Sequence, residues 1–151
     1  MNIFEKIIAR EIPAAIVYED NDTLAFMDIG PVIKGHTLVI PKTCYDPVTE
    51  TPDDVLAKLI IVAKRIAAAQ IKGLCADGVN IIQNSGSAAG QVVPHIHFHV
   101  IPRYAAARRF AGLDWADNGW PSLPALAERQ HVDQPGITGA ICQALRAANQ
   151  G

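Results

Sequence analysis

The chain has little of what marks a secreted, membrane-spanning or nucleic-acid-binding protein. Its three cysteines, Cys44, Cys75 and Cys142, are odd in number, far apart and form no CxxC pair. That pattern suggests neither a disulfide framework nor a zinc knuckle, and fits reduced, mostly buried thiols. No uninterrupted apolar run is long enough to cross a bilayer. The opening residues Met1-Asn2-Ile3-Phe4-Glu5-Lys6 lack the basic segment and apolar stretch of a secretory leader. A net charge of −2 leaves no cationic surface for a phosphate backbone. These absences lead us to expect a cytoplasmic protein with neither nucleic acid nor membrane as a partner. There is no GK[ST] phosphate loop and no internal repeat. What is present is a 151-residue chain, 50% hydrophobic and 19% charged, which suits one packed domain.

Periodicity divides the chain. Ile3, Phe4, Ile7 and Ile8 are spaced as one face of a short helix over residues 2–11, closed by Pro13. Residues 15–20 and 23–29 read as a strand pair joined by the turn residues Asp20-Asn21-Asp22. A third strand follows over 36–41. Thr51-Pro52-Asp53-Asp54 is a helix start, with threonine as cap, proline in the first turn and two acids on the dipole. That helix runs to about Ile71 and ends at Lys72-Gly73. Val55, Leu59, Val62 and Ile66 form one apolar stripe; Leu56, Ile60, Ala63 and Ala67 form a second. A face so wide covers a sheet, a partner subunit, or both. Residues 78–84 are a fourth strand, and the small residues 85–91 form a loop whose N–H groups can cradle an anion. Beyond Tyr104 the pattern thins to a loop, with a short helix near 125–130, a solvated His131 and a terminal helix over 137–148.

The densest chemistry lies in Val93-Pro94-His95-Ile96-His97-Phe98-His99-Val100-Ile101. Alternation with period two predicts a strand with Ile96, Phe98 and Val100 in the core and the three histidines along an open face. The histidine row would span about 13 Å, the length of a small phosphorylated ligand. Pro94 implies an edge or an irregularity at the strand start. So long a row converges poorly on one metal ion. A His-x-His pair completed by His36 could bind one, although no carboxylate or cysteine adjoins it in sequence. Nucleophilic catalysis fits better. A neutral imidazole attacks phosphorus and leaves again, provided its other nitrogen is held by a partner. His97, with a histidine on each side, is the natural nucleophile; its neighbours can offset charge on the phosphate. His36, alone in sequence, reads by itself as a surface or capping histidine.

The run His95-Ile96-His97-Phe98-His99-Val100-Ile101 resembles the motif of the histidine triad (HIT) family, in its Hint- and Fhit-like hydrolase branch. Phe4-Glu5-Lys6-Ile7-Ile8, Ile12-Pro13-Ala14, Ala25-Phe26-Met27-Asp28-Ile29, residues 35–42, Asn84 and Gly90-Gln91 also fall in the order seen in Hint-like members. The likeness covers about residues 2–104. It implies an α+β HIT-like fold: a five-stranded antiparallel sheet, one long and one short helix, and here a C-terminal extension with a terminal helix. The domain would cover 1–104, with 105–151 packed on it or on a dimer, and two subunits would pair their sheets. The resemblance also implies a purine-nucleotide hydrolase or transferase acting on phosphoramidates, nucleoside monophosphate esters or dinucleoside polyphosphates. It would work through a nucleotidyl-histidine intermediate, with no cofactor and no metal. Carried onto this chain, His97 is the nucleophile, His99 contacts phosphate, and His95 and His36 complete the network behind them. Asp28 holds the ribose, Ile3, Phe4, Phe26 and Ile29 wall the base, and Asn84, Gly90 and Gln91 position the phosphate. His99 stands where a related transferase branch has glutamine, which favours the hydrolases. Val92 stands where Hint and Fhit members often have serine or threonine, which leaves the leaving group open. The rival readings are a nucleotide-binding adaptor without turnover and a metal-dependent enzyme.

Overall fold

Which face each strand residue meets is set by simple alternation along β2 (Thr23–Met27) and β3 (Thr37–Pro41). They pair in register from Thr23↔Pro41 to Met27↔Thr37, and every residue of both is buried. Ala25, Met27 and Val39 point into one core, while Leu24, Phe26, Leu38 and Ile40 point into another on the opposite face. Such two-sided burial requires cover on both faces of the sheet. The computed structural model describes residues 1–104 and 134–150. Its five-stranded sheet, antiparallel throughout, has the order β1-β2-β3-β5-β4, with β1 at Ile16–Glu19, β4 at Gly78–Gln83 and β5 at Phe98–Arg103. The expected α+β architecture is therefore present.

The long helix α2 (Asp53–Gly73) lies on one face and buries Leu59, Val62, Ala63 and Ile66. It starts differently from the sequence reading. Pro52 is the capping residue and makes no side-chain cap bond, while the Thr51 hydroxyl donates to the Pro47 carbonyl at 2.9 Å. Ile60, assigned to the apolar stripe, is 43% exposed, and Ile61 beside it is 50% exposed. Buried Gln70 donates to the carbonyls of Gly35 and Val100, both at 2.9 Å, and so ties the helix to β5 and to the turn before β3. The terminal helix α3 (Gln134–Gln150) packs on α2 and β1, with Ile141 fully buried.

Helix α1 (Ile3–Ile8) covers the other face with Phe4 and Ile7. A reciprocal capping box starts it: Asn2 Oδ1 accepts from Glu5 N–H, and Glu5 Oε1 accepts from Asn2 N–H. It stops at Ala9, where Arg10 takes a left-handed φ of 63°, four residues before the proline expected to end it. Cys44 and Cys75 are exposed rather than buried, and Cys142 is half-buried. The loop expected beyond Tyr104, the helix near 125–130 and the solvated His131 lie outside the described residues.

At Gly73, an added Cβ would sit 2.7 Å from the carbonyl oxygen of Ala140 on α3. Gly73→Ala should lower unfolding free energy by about 1–3 kcal/mol despite alanine's better helix propensity, because backbone cannot yield as a side chain can. Chemical denaturation monitored by circular dichroism measures it; unchanged or greater stability would contradict the tight helix crossing.

Candidate active site

The histidines reach the α1 side of the sheet by two different routes. His99 lies within β5, opposite Leu38 of β3 and Ile82 of β4. His95 and His97 precede the strand, in a segment held by Ile96 N–H on the Tyr45 carbonyl at 2.7 Å. Ile96 and Val100 are fully buried on the α2 side, as expected, whereas Phe98 is half-buried. The face expected to be open is covered: His95, His97 and His99 are 0%, 5% and 7% exposed. His36, which alone reads as a surface residue, is also fully buried. It comes to His99 because the turn after β2 folds back, with Asp28 N–H on the His36 carbonyl.

Partners assign each ring proton. The His36 Nδ1 accepts from Val32 N–H at 3.1 Å, so its proton is on Nε2, 3.0 Å from His99 Nδ1. That bond makes His99 Nδ1 an acceptor and leaves its own proton on Nε2. His95 Nε2 faces the Pro41 carbonyl at 2.8 Å and must donate. Its Nδ1 then accepts from the Asn2 side-chain amide at 3.2 Å. His97 Nδ1 lies 2.7 Å from the carbonyl of His95 and donates to it. The lone pair of His97 is therefore on Nε2. Phe4 stands edge-on to His97, with centroids 5.1 Å apart, and the His97 and His99 rings are 4.9 Å apart.

Burial holds the whole group neutral. Desolvation pushes His36 down to about 3, with Arg103 and His97 adding to the effect. His99 is likewise pushed down to about 3, first by burial and then by His36 and His97. Burial also lowers His95 and His97, offset in each by a backbone hydrogen bond. Asp28 is raised by desolvation, against the pull of Gly30 N–H on its Oδ1 at 2.9 Å and of His99 and His97.

A cleft of about 310 Å³ opens on this group. It is lined by Ile3 and Phe4 of α1, by Asp28, Ile29 and Gly30 after β2, by Leu38 of β3, by Gly90, Val92 and Val93, and by His97 and His99. The structure thus brings His97, His99, Asp28, Ile3, Phe4, Ile29 and Gly90 together. Phe26 stands behind Phe4, edge-on at 5.6 Å. His36, His95, Asn84 and Gln91 are not among the lining residues. Gln91 braces its loop: its amide donates to the Val93 carbonyl and to Asp46, and its oxygen accepts from Gly86 N–H. The N–H groups of Ala89, Gly90 and Gln91 also bond within the loop, to Ser87 or Gly86 carbonyls, instead of facing outward as an anion cradle. Asn2, Leu38 and Val93 were not singled out from sequence. The spacing Asn2-x-x-Glu5 marks a helix cap, but nothing local reveals His95 as its partner.

A family model for the HIT domain matches residues 9–106. The chain belongs to the HIT family. A HIT-like protein of Methanocaldococcus jannaschii is 54% identical over 104 residues, covering 69% of this chain and 80% of that one. The adenosine 5′-monophosphoramidase hnt1 of Schizosaccharomyces pombe is 37% identical over 126 residues, covering 83% and 87%. Among solved structures, a zinc-bound histidine triad family protein of Mycobacterium smegmatis superposes with a TM-score of 0.80 at 37% identity, covering 98% of this chain and 95% of that one.

This HIT domain also gathers metal-type donors that its sequence keeps apart. Asp28, His36 and His99 place ligand atoms within 4.8 Å of one another, as do Glu5, Cys44 and His95. The histidine stretch itself holds no carboxylate or cysteine, and the fold brings these from elsewhere in the chain. In both groups the histidine nitrogens are already engaged in the hydrogen bonds described above.

The neutral histidines make stability pH-dependent. An unfolded chain takes up protons at histidine near 6.5, whereas folded His36 and His99 stay neutral to about 3. Between those values the unfolded state binds more protons, so stability falls as pH is lowered through that window. Asp28, raised in the fold, opposes this only in the carboxylate range. Thermal melts should show Tm declining from pH 6.5 downward, with a shallower slope in His36→Asn. A Tm independent of pH between 6.5 and 4 would refute the neutral, buried assignment.

Proposed function

We propose that this HIT-family protein is a nucleotide hydrolase or transferase acting through a covalent nucleotidyl intermediate on His97. One observation carries the reading: His97 lines the cleft while its Nδ1–H is held by the His95 carbonyl at 2.7 Å. The bare Nε2 is then the nitrogen free for phosphorus, in a ring that burial keeps unprotonated. In the first step Nε2 bonds to phosphorus as the bond to the leaving group breaks, and the leaving group departs with the bonding electrons and a proton taken from solvent. Water then attacks the nucleotidyl-histidine, releases the nucleotide and loses its proton, and the Nε2 lone pair returns. His99, with its proton on Nε2, donates to a non-bridging oxygen as charge accumulates there.

Asp28 at the cleft edge is suited to ribose hydroxyls, and Ile3, Phe4 and Ile29 to a purine face. Substrates of this class are nucleoside phosphoramidates, nucleoside monophosphate esters and dinucleoside polyphosphates; the phosphoramidase among the relatives supports the first. Val92, 74% exposed at the cleft, offers no hydroxyl to a leaving group. We assign the catalytic unit to residues 1–104 and treat 105–151 as an extension. A cytoplasmic location accords with a structure in which no helix among the described residues is long and apolar enough to cross a membrane.

Incubation with adenosine 5′-phosphoramidate followed by rapid acid-free quenching should trap an adenylyl group on the protein. His97→Ala should abolish trapping and cut kcat on the order of a thousandfold or more. Nucleotide binding without trapping or turnover would make the protein an adaptor, and activity lost to a chelator would make it a metalloenzyme.

The outer face of α2 and the edge strand β4 leave Ile60, Ile61, Ile71 and Ile81 between 39% and 50% exposed. We assign these to a homodimer interface. Light scattering should give twice the 16.2 kDa chain mass, and Ile81→Lys should shift the protein toward monomer. A monomer at micromolar concentration would remove the assignment.

A further inference from the structure

The side chain of Asn2 does more than cap α1. Its oxygen accepts from Glu5 N–H at 2.9 Å, which is the cap itself. Its amide nitrogen makes three further contacts: Glu5 Oε1 at 2.9 Å, His95 Nδ1 at 3.2 Å and Cys44 Sγ at 3.6 Å. Cys44 in turn donates to the Pro94 carbonyl at 3.6 Å. His95 is fully buried, and its other nitrogen is committed to Pro41 of β3. Among the described residues, the donor facing its Nδ1 is Asn2. The peptide carbonyl of the same residue holds the Nδ1–H of His97.

The geometry points to Asn2 as a positioning residue for the nucleophile: it fixes the His95 ring, and through the His95 carbonyl it fixes the tautomer of His97. The inference rests on the proposed role of His97. It adds that α1 joins two halves of the site. The two residues after Asn2, Ile3 and Phe4, wall the cleft, and Phe4 also stands edge-on to both His95 and His97. A base seated against α1 therefore presses on the element that orients the attacking nitrogen. Asn2 touches neither substrate nor reacting atoms; it acts through His95.

Serine and aspartate both cap helices about as well as asparagine, but neither supplies the amide donor at this reach. Asn2→Ser removes the contact to His95 with the cap retained. Asn2→Asp retains the cap as well and sets a carboxylate against an acceptor nitrogen. The test uses the full chain with ¹⁵N-labelled histidine, whose ring nitrogens distinguish the tautomers by NMR, alongside steady-state kinetics on adenosine 5′-phosphoramidate. In the parent, His95 should carry its proton on Nε2 and His97 on Nδ1. In Asn2→Ser, His97 should populate both tautomers, and kcat should fall on the order of tenfold, with KM moving less than about twofold. In Asn2→Asp, His95 Nδ1 should gain a proton. If Asn2→Ser fails to fold, Asn2→Asp carries the same spectroscopic test. Unaltered ring nitrogens in both variants, or a loss of Tm with kcat intact, would overturn the role. The spectra need no turnover, so they can fail or succeed separately from the trapping of an adenylyl group on His97.

Discussion

A ring nitrogen taken out of water must find a partner or face a ligand, and it holds its proton where that partner dictates. Four imidazoles obey this constraint here at once. His36 is set by Val32, His99 by His36, His95 by Asn2 and Pro41, and His97 by the carbonyl of His95. Each link is a neutral donor–acceptor pair, so protonating His36, His95 or His99 would turn an accepting nitrogen into a second donor and break its bond. Burial and the hydrogen-bond order thus reinforce one another: desolvation keeps the rings neutral, and neutrality lets each bond have one sense. The outcome is a group in which His97 Nε2 carries a lone pair and His99 Nε2 a proton, in two rings that line the cleft.

The sheet supplies the burial. Because β2 and β3 are buried on both faces, His99 sits opposite Leu38 as a member of a packed layer. The α2 side does not take part in the chemistry, yet it sets the register. Gln70 holds the carbonyl of Val100, the residue after His99, and Ile96 is locked between the histidines on the α2 side. A shift of one residue along β5 would turn the His99 ring into the aliphatic core and Val100 out of it. Register is therefore fixed most strongly where the site needs it.

Much of this was legible in the sequence because it is local and periodic. The alternation of histidine with apolar residues placed Ile96 and Val100 in the core, and the element order of sheet and helices followed from spacing and turn residues. What the alternation could not show is what lies over the histidine face. The cover comes from α1 and from the turn around Asp28 to His36, both far away in the chain, so the open face of the reading became a buried one. The same limit applies to Gln91, to which the family resemblance gave a phosphate contact but whose amide is turned to Asp46 and Val93. It applies to Thr51 too, a good cap by type that instead bonds backward to Pro47. Residue type predicted a capacity to bond in each case; tertiary neighbours chose the partner.

Helix α1 shows how a six-residue segment can matter beyond its own stability. A helix this short is not stable alone, since nucleation costs more than so few bonds return. Its persistence depends on Phe4 and Ile7 packing on the sheet and on the Asn2–Glu5 capping box. Those anchors are the groups that meet the site: Phe4 lies against His97, and Asn2 against His95. The segment is therefore held in part by the imidazoles it contacts. For a site whose proposed function requires one nitrogen among eight to be bare and aimed, contacts of this kind narrow the alternatives more than any one hydrogen bond could.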